Sequence, residues 1–156
     1  MPSFDTSEHD ARAARRVLAT YDRHGSVLHA VAAVLTRTPH RAEQLVLATV
    51  VQPPGRWWWP TSWRAADSRA VVERLYRRWS RDDLPRSVVP MRTERTIQRD
   101  LHRLTDNQLG ALALCGVGGH SYREAARVMG ITPISAALDL RAALTALAPG
   151  VAPSVA

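Results

Sequence analysis

The sequence contains no lysine, so its 21 lysine or arginine positions are all arginine. It contains one cysteine, Cys115, which excludes an internal disulfide. No run of about 18 apolar residues is present to span a membrane, and the first residues lack the apolar stretch of a signal peptide. We therefore expect a cytoplasmic protein that makes no contact with membranes.

Patterns typical of catalytic and metal sites are also missing. The 6 histidines show no ligand spacing, because His24 and His29 do not share a helical face and no Cys-x-x-Cys or His-x-x-x-His motif occurs. A nucleophile elbow, a phosphate loop and a catalytic carboxylate pair are absent as well. We expect a protein that is not an enzyme, with no metal, no cofactor and no small-molecule substrate.

The composition is that of a globular chain with an uneven charge. Hydrophobic residues make up 46% of the 156 residues, which is enough for a core. Arginines and acids number 6 and 5 in residues 1–55, 12 and 6 in residues 56–103, and 3 and 3 in residues 104–156. The net charge of +7 therefore lies almost entirely in the middle of the chain.

Two capping boxes predict helix starts in the last third of the sequence. Ser121 to Glu124 and Thr105 to Gln108 both fit the pattern in which a hydroxyl and an acid or amide side chain satisfy each other's backbone amides. The helix after Thr105 has an apolar side, which predicts packing against its neighbours. Its residues are Leu109, Leu112, Ala113 and Cys115.

A tight turn is predicted between the last two helices. Gly130 can adopt the positive φ that ends a helix. Thr132 can cap the next helix, and Pro133 fits its first position, where a missing N–H costs nothing. Together with the preceding helix, this order predicts a compact helix-turn-helix.

The sequence from Leu101 to Leu147 resembles region 4 of extracytoplasmic-function (ECF) sigma factors of RNA polymerase. The matching landmarks are Leu104, Gln108, Gly119, Ser121-Tyr122, Glu124-Ala125, Gly130-Ile131 and Ala143-Leu144. The resemblance implies an all-α fold whose C-terminal domain is a helix-turn-helix of the winged-helix-like, sigma region 4 type. It also implies that this domain reads the −35 promoter element.

The resemblance places a DNA-reading surface on the last two helices. Where the family has Thr, Lys and Arg facing the major groove, this chain has Ser135, Ala137 and Asp139. Direct readout of bases is then expected from Thr132, Ser135 and Arg141, and phosphate contacts are expected from Arg123 and Arg127 of the preceding helix. The predicted DNA-binding residues are Arg123, Arg127, Thr132, Ser135 and Arg141.

Near the start of the chain, Tyr21-Asp22-Arg23-His24-Gly25 is followed by an apolar helix and then by Arg41-Ala42-Glu43, an order that is similar to the opening of sigma region 2. We expect helices at Asp5–Arg23, Val27–Thr36 and Arg41–Val51, with Gly25 breaking the first from the second. The resemblance implies that the third helix docks on the polymerase clamp helices, here through Glu43 and Gln44. Leu47 and Ala48 stand where the family has polar residues, so either the docking partner differs or these two side chains join the core.

The segment 56–63 contains four of the 5 tryptophans. Trp57, Trp58 and Trp59 are consecutive and cannot share one face of a helix or strand. They are predicted partner-binding residues, with three interpretations open. They pack under a loop, insert into a protein partner, or stack on unpaired bases of the −10 element as the resemblance implies.

A further helix is predicted at Ala65–Ser80, with apolar residues inward and arginines outward. The inward residues are Val71, Val72, Leu75 and Tyr76, and the arginines Arg69, Arg77 and Arg78 form either a solvated face or a phosphate-binding surface. Pro85 and Pro90 indicate a linker. The predicted organisation is a region 2-like domain at 1–80, a linker at 81–92 and a region 4-like domain at 93–149.

These features predict a sigma-factor-like DNA-binding transcription protein. Its expected partners are RNA polymerase core and promoter DNA, with an anti-sigma or other regulatory protein as a further partner. The alternative is a degenerate sigma-like interaction module that binds RNA polymerase, a sigma factor or a regulator without reading DNA itself.

Overall fold

A computed structural model describes residues 6–51, 67–81 and 96–148, and these form seven helices. They are α1 (Thr6–Thr36), α2 (Pro39–Val51), α3 (Ser68–Arg81), α4 (Thr96–Leu101), α5 (Asp106–Ala111), α6 (Tyr122–Met129) and α7 (Pro133–Leu147). A π-helical segment, Leu112–Val117, extends α5. Over the described residues the predicted all-α class is confirmed. The four tryptophans at 57–63, and residues 82–92 of the predicted linker, lie outside the described ranges.

The predicted helix break at Gly25 is wrong, because α1 continues through this residue. Gly25 is buried, and a Cβ there would lie 3.5 Å from the Tyr21 ring. The Tyr21 hydroxyl forms a 3.0 Å hydrogen bond with His29 Nε2, across the glycine. A helical glycine costs only about 1 kcal/mol relative to alanine. Burial of Leu28 and Val31 in the next turns outweighs that cost.

The turn between α1 and α2 is attached to the start of α5. Arg37 has φ 62°, the left-handed conformation that non-glycine residues rarely adopt. Its guanidinium donates to the Leu104 carbonyl at 2.9 Å and lies 3.6 Å from the Asp106 carboxylate. These contacts join residues that are far apart in the sequence and hold the first helical pair against the last third of the chain.

One cluster of buried side chains contains members from all seven helices. Representative members are Leu28, Val46, Leu75, Leu101, Leu109, Leu114, Ala125 and Ala143. The described parts of the two predicted domains, 1–80 and 93–149, therefore contribute side chains to one common core.

Helix α3 packs as its sequence predicts. Val71, Val72, Leu75 and Tyr76 are all buried, which confirms the predicted inward face. Trp79 extends this face, with its ring 5.6 Å from that of Tyr76. Of the predicted outward arginines, two are exposed and Arg78 is half-buried; the exposed pair is Arg69 and Arg77.

His24 gives the fold a predictable pH dependence. Its side chain lies between α1 and α3, is 5% exposed, and lies 3.3 Å from the Ser68 hydroxyl. Burial and the neighbouring Arg23 lower its pKa below the ordinary 6.5, although Asp67 opposes the shift. The unfolded chain therefore binds a proton first as the pH falls, and the folded state loses stability relative to it. We expect the free energy of unfolding to fall as the pH drops from neutrality through the ordinary histidine range.

Urea unfolding at a series of pH values will measure this effect. His24→Gln should weaken the dependence of the free energy of unfolding on pH. His40→Gln, at an exposed histidine on α2, is the control and should leave this dependence unchanged. An unaltered slope in His24→Gln would show that other groups set the acid sensitivity.

Candidate functional site

Both predicted capping boxes are confirmed. At the start of α6, the Glu124 amide donates to the Ser121 hydroxyl at 3.3 Å, and the Ser121 amide donates to the Glu124 carboxylate at 2.7 Å. At the start of α5, Thr105 and Gln108 exchange the same pair of hydrogen bonds, at 3.3 and 3.0 Å. Local side-chain chemistry thus fixes where these helices begin.

The predicted turn between α6 and α7 is also confirmed. Gly130 has φ 71° and ψ 30°, and the Ile131 amide donates to the Ala126 carbonyl at 3.0 Å. The Thr132 hydroxyl accepts from the Ser135 amide at 3.1 Å and lies 2.8 Å from the Ser135 hydroxyl. Pro133 occupies the first turn of α7. The two predicted base-contacting hydroxyls are therefore held together at the start of α7.

All five predicted DNA-binding residues are exposed. They are Arg123, Arg127, Thr132, Ser135 and Arg141. The three arginines border a groove between α6 and α7, whereas the two hydroxyl residues stand at the N-terminal end of α7, outside the groove lining. Arg123 Nε donates to the Tyr122 hydroxyl at 3.2 Å, and its guanidinium lies 5.7 Å from the centre of that ring, a cation–π arrangement.

The groove between α6 and α7 consists of two adjoining cavities. One measures about 580 Å³ and runs beside Leu140, Arg141 and Leu144. The other measures about 570 Å³ and runs beside Arg127 and Ile134. Both cavities share Tyr122 and Ala137 in their walls. The groove is open and predominantly apolar, with arginines at its borders.

The outward side of α7 is apolar, which the sequence interpretation missed. Ile134 is 75% exposed and Leu138, one turn later, is 60% exposed, and we call these two residues the α7 outer face; Leu144, which is 52% exposed, lies on a different side of the helix. The buried side of the same helix contributes only the small residues Ala136 and Ala143. The sequence signal for this surface was the largely apolar composition of α7. A helix that is apolar on every side is normally covered on every side.

Helix α3 supports α6 through charged side chains. Arg69 and Glu124 form a 3.1 Å ion pair. Hydrogen bonding with Ser121, with smaller contributions from Arg69 and His120, lowers the pKa of Glu124 below its usual value. The enclosed His120 imidazole lies 3.6 Å from the Glu73 carboxylate. The orientation of α6 therefore depends on α3 as well as on its own cap.

The predicted partner-binding residues on α2 are exposed. Glu43 and Gln44 face solvent, and Gln44 Nε2 lies 3.1 Å from His40 Nε2. Leu47 is 56% exposed, so the interpretation that it joins the core is wrong, whereas Ala48 is half-buried. Leu47 lies on the outward side of α2, which explains why it is more exposed than Ala48. The other predicted partner-binding residues, Trp57, Trp58 and Trp59, lie outside the described ranges.

In ranges 6–51, 67–81 and 96–148, no group of three or more His, Cys, Asp or Glu side chains could hold a metal ion. None of the helices in these ranges combines the length and apolar character that a membrane crossing requires. Cys115 is half-buried, and burial, followed by the nearby Glu124, raises the pKa of its thiol. The thiol is therefore a poor nucleophile.

The α6 cap provides a second prediction. Ser121→Ala removes the hydroxyl that satisfies the Glu124 amide, so we expect a loss of about 1 kcal/mol in the free energy of unfolding. In a domain of this size the melting temperature should fall by about 2–4 °C. Thermal unfolding followed by circular dichroism will measure it. Ser26→Ala, at an exposed position inside α1, is the matched control and should be neutral or slightly stabilising.

Comparison with known proteins gives no match: no family model, curated protein or solved structure matches this chain. The described residues present a capped pair of helices, α6 and α7, whose groove is bordered by arginines.

Proposed function

We propose that this chain is a sigma-factor-like, DNA-binding transcription protein that acts in transcription initiation with RNA polymerase. The observation that supports it most directly is the exposed α6 and α7 pair. Both helix starts are capped, a left-handed Gly130 joins them, and every predicted DNA-contacting residue faces solvent. In this proposal the pair is a helix-turn-helix of the sigma region 4 type, and the protein works in the cytoplasm without catalysis.

In the proposed complex the start of α7 enters the major groove of promoter DNA. Thr132 and Ser135 present hydroxyl groups to base edges, while Arg123 and Arg127 on α6 contact phosphates. Arg141 lies two turns further along α7 and adds a third positive charge. The nearest carboxylate on α6, Glu124, is already paired with Arg69. Its negative charge is thus partly neutralised before DNA arrives.

The N-terminal part has a different role in the proposal. Residues 1–80 form the region 2-like domain that docks on RNA polymerase core, residues 81–92 form the linker, and residues 93–149 form the DNA-reading domain. Glu43 and Gln44 are exposed on α2, as a docking surface requires. An anti-sigma or other regulatory protein would control the same two functions.

Equilibrium binding to a fluorescently labelled promoter duplex tests the proposal. The affinity should fall steeply with salt concentration, because phosphate contacts release counterions. Arg141→Ala should weaken binding by about tenfold, the lower end of the cost of losing a good base or phosphate contact. Arg15→Ala, at an exposed arginine on α1, should change it little. No binding at low salt would refute DNA recognition by this chain.

A second candidate function is protein interaction in transcription without DNA reading. The observation that favours it is the apolar end of α2, where Leu47 and Val51 are each 56% exposed. On this account α2 docks on RNA polymerase, a sigma factor or a regulator. Purified polymerase core should retain the wild-type chain but not the double variant Leu47→Ser and Val51→Ser. Retention of both proteins equally would exclude α2 as the contact.

A further inference from the structure

We infer, on the basis of the proposed function, that Arg69 on α3 is a positioning residue for DNA reading. It holds the Glu124 carboxylate away from Arg127, which then stays free to contact phosphates. Arg69 acts through Glu124 and touches no DNA itself. Control of the reading surface therefore lies partly on α3, outside the α6 and α7 pair.

Helix α3 contacts the start of α6 through two charged side chains. Arg69 Nη1 donates to Glu124 Oε1 at 3.1 Å. Glu73 Oε1 lies 3.6 Å from Nε2 of His120, a side chain that is enclosed just before the cap of α6. Arg69 and Glu73 are one turn apart on α3, so they lie on the same side of that helix. The first turn of α6 is thus held to α3 at two neighbouring points.

The two oxygens of the Glu124 carboxylate have separate partners. Oε2 accepts from the Ser121 amide at 2.7 Å and completes the capping box. Oε1 accepts from Arg69. Hydrogen bonding with Ser121 lowers the pKa of Glu124, so the carboxylate is charged at neutral pH. Without Arg69, one oxygen would continue to cap the helix and the other would be available to a different cation.

Arg127 is the arginine of α6 that would take this place. The sequence of α6, YREAARVM, contains one acidic residue, Glu124, and two arginines. Residues three apart on a helix are neighbours, and an acid that precedes an arginine at this spacing forms a favourable pair. Arg123 is adjacent in sequence, so it points to another side of the helix, and its Nε already donates to the Tyr122 hydroxyl. Loss of Arg69 would therefore draw the Arg127 guanidinium back along α6.

The pair of Arg69 and Glu124 matters more for DNA binding than for stability. The two side chains are 48% and 33% exposed, and ion pairs at such exposure contribute little to folding. A phosphate backbone, however, is attracted by each free arginine and repelled by each uncompensated carboxylate. With Arg69 present, Arg123 and Arg127 face the phosphates and the charge of Glu124 is offset. Without it, one arginine is partly withdrawn and the carboxylate is uncompensated.

A double-mutant cycle with a labelled promoter duplex and the full-length chain tests the inference. Arg69→Ala should weaken binding about threefold, the affinity ratio that corresponds to an exposed ion pair. Glu124→Gln removes the charge but keeps the cap, because glutamine also fits the capping box. In the Glu124→Gln background, Arg69→Ala should cause no further loss. Arg69→Lys should bind as the wild type does, and Arg15→Ala on α1 controls for the loss of one positive charge.

The guanidinium Nε–H signals in the nitrogen-15 NMR spectrum give a second readout, which needs no DNA. In Arg69→Ala the Arg127 signal should shift, because its guanidinium gains the Glu124 carboxylate as a partner. Glu124→Gln combined with Arg69→Ala should return the signal to its wild-type position. Circular dichroism should be unchanged in all these variants.

Three results would overturn the inference. Equal weakening by Arg69→Ala with and without Glu124→Gln would mean that Arg69 contacts DNA directly. Equal weakening by Arg69→Lys and Arg69→Ala would mean that its charge is not what matters, and an unmoved Arg127 signal would mean that Glu124 does not change partner. The two proposals fail in different ways. A wild-type chain that binds no duplex at low salt refutes the proposed function and with it the DNA role of Arg69, whereas duplex binding that Arg69→Ala leaves unchanged refutes only this inference.

Discussion

Leu75→Ala will lower the free energy of unfolding by about 2–5 kcal/mol, and all seven helices will unfold in one transition. Leu75 is 0% exposed and belongs to the cluster that contains Leu114 and Ala143. Its truncation removes buried methyl groups and leaves a cavity among side chains from both ends of the chain. Urea denaturation followed by circular dichroism will give the size of the loss. Hydrogen exchange at amides of α1 and α7 will show whether the transitions coincide.

Leu47→Ala is the matched control, because Leu47 is also a helical leucine but is 56% exposed. Its stability should remain within about 0.5 kcal/mol of the wild type. Separate transitions, with Leu75→Ala shifting only that of the N-terminal half, would contradict a shared core and would favour two independently folded domains.

Gly118→Ala will destabilise the protein by about 1–3 kcal/mol through overpacking. A Cβ at Gly118 would lie 2.8 Å from Val72 Cγ1 on α3 and 2.9 Å from the Leu114 carbonyl oxygen. The carbonyl belongs to backbone at the π-helical segment and cannot move aside as a flexible side chain would. Relief therefore requires α3 to move away from Gly118 and the backbone at the end of the π-helical segment to distort. Thermal unfolding followed by circular dichroism will measure the change.

Gly116→Ala provides the comparison two residues earlier. Gly116 is exposed, and its added Cβ would approach only a Leu112 methyl, at 3.4 Å. This substitution should be neutral or stabilising, because alanine favours helical backbone. Equal losses in the two variants would mean that the close approach of α3 to Gly118 is not what restricts this position.

The sequence predicted those features that depend on neighbouring residues. Ser121 with Glu124, Thr105 with Gln108, and Gly130 each act through contacts within a few positions, so their patterns were sufficient. The exposure of the arginines on α6 was predictable from the positions of these helices.

Features that depend on tertiary packing were not predictable from the same patterns. Gly25 remains helical because packing outweighs its propensity, and no local signal shows that packing. The π-helical segment after α5 accommodates Gly118 against α3, a contact with a residue about 45 positions away. Leu47 and the residues of the α7 outer face are apolar but exposed. The type of an apolar residue does not by itself show whether the residue lies in the core or on the surface.

Mapping of backbone amide chemical shifts on addition of a promoter duplex tests the central claim most directly, namely that α6 and α7 form the DNA-contacting surface. We expect shifts that are concentrated at Arg123, Arg127, Thr132, Ser135 and Arg141 and that diminish as salt is raised. Shifts that are confined to α1 or spread evenly over the arginines, or no shifts at low salt, would contradict the account.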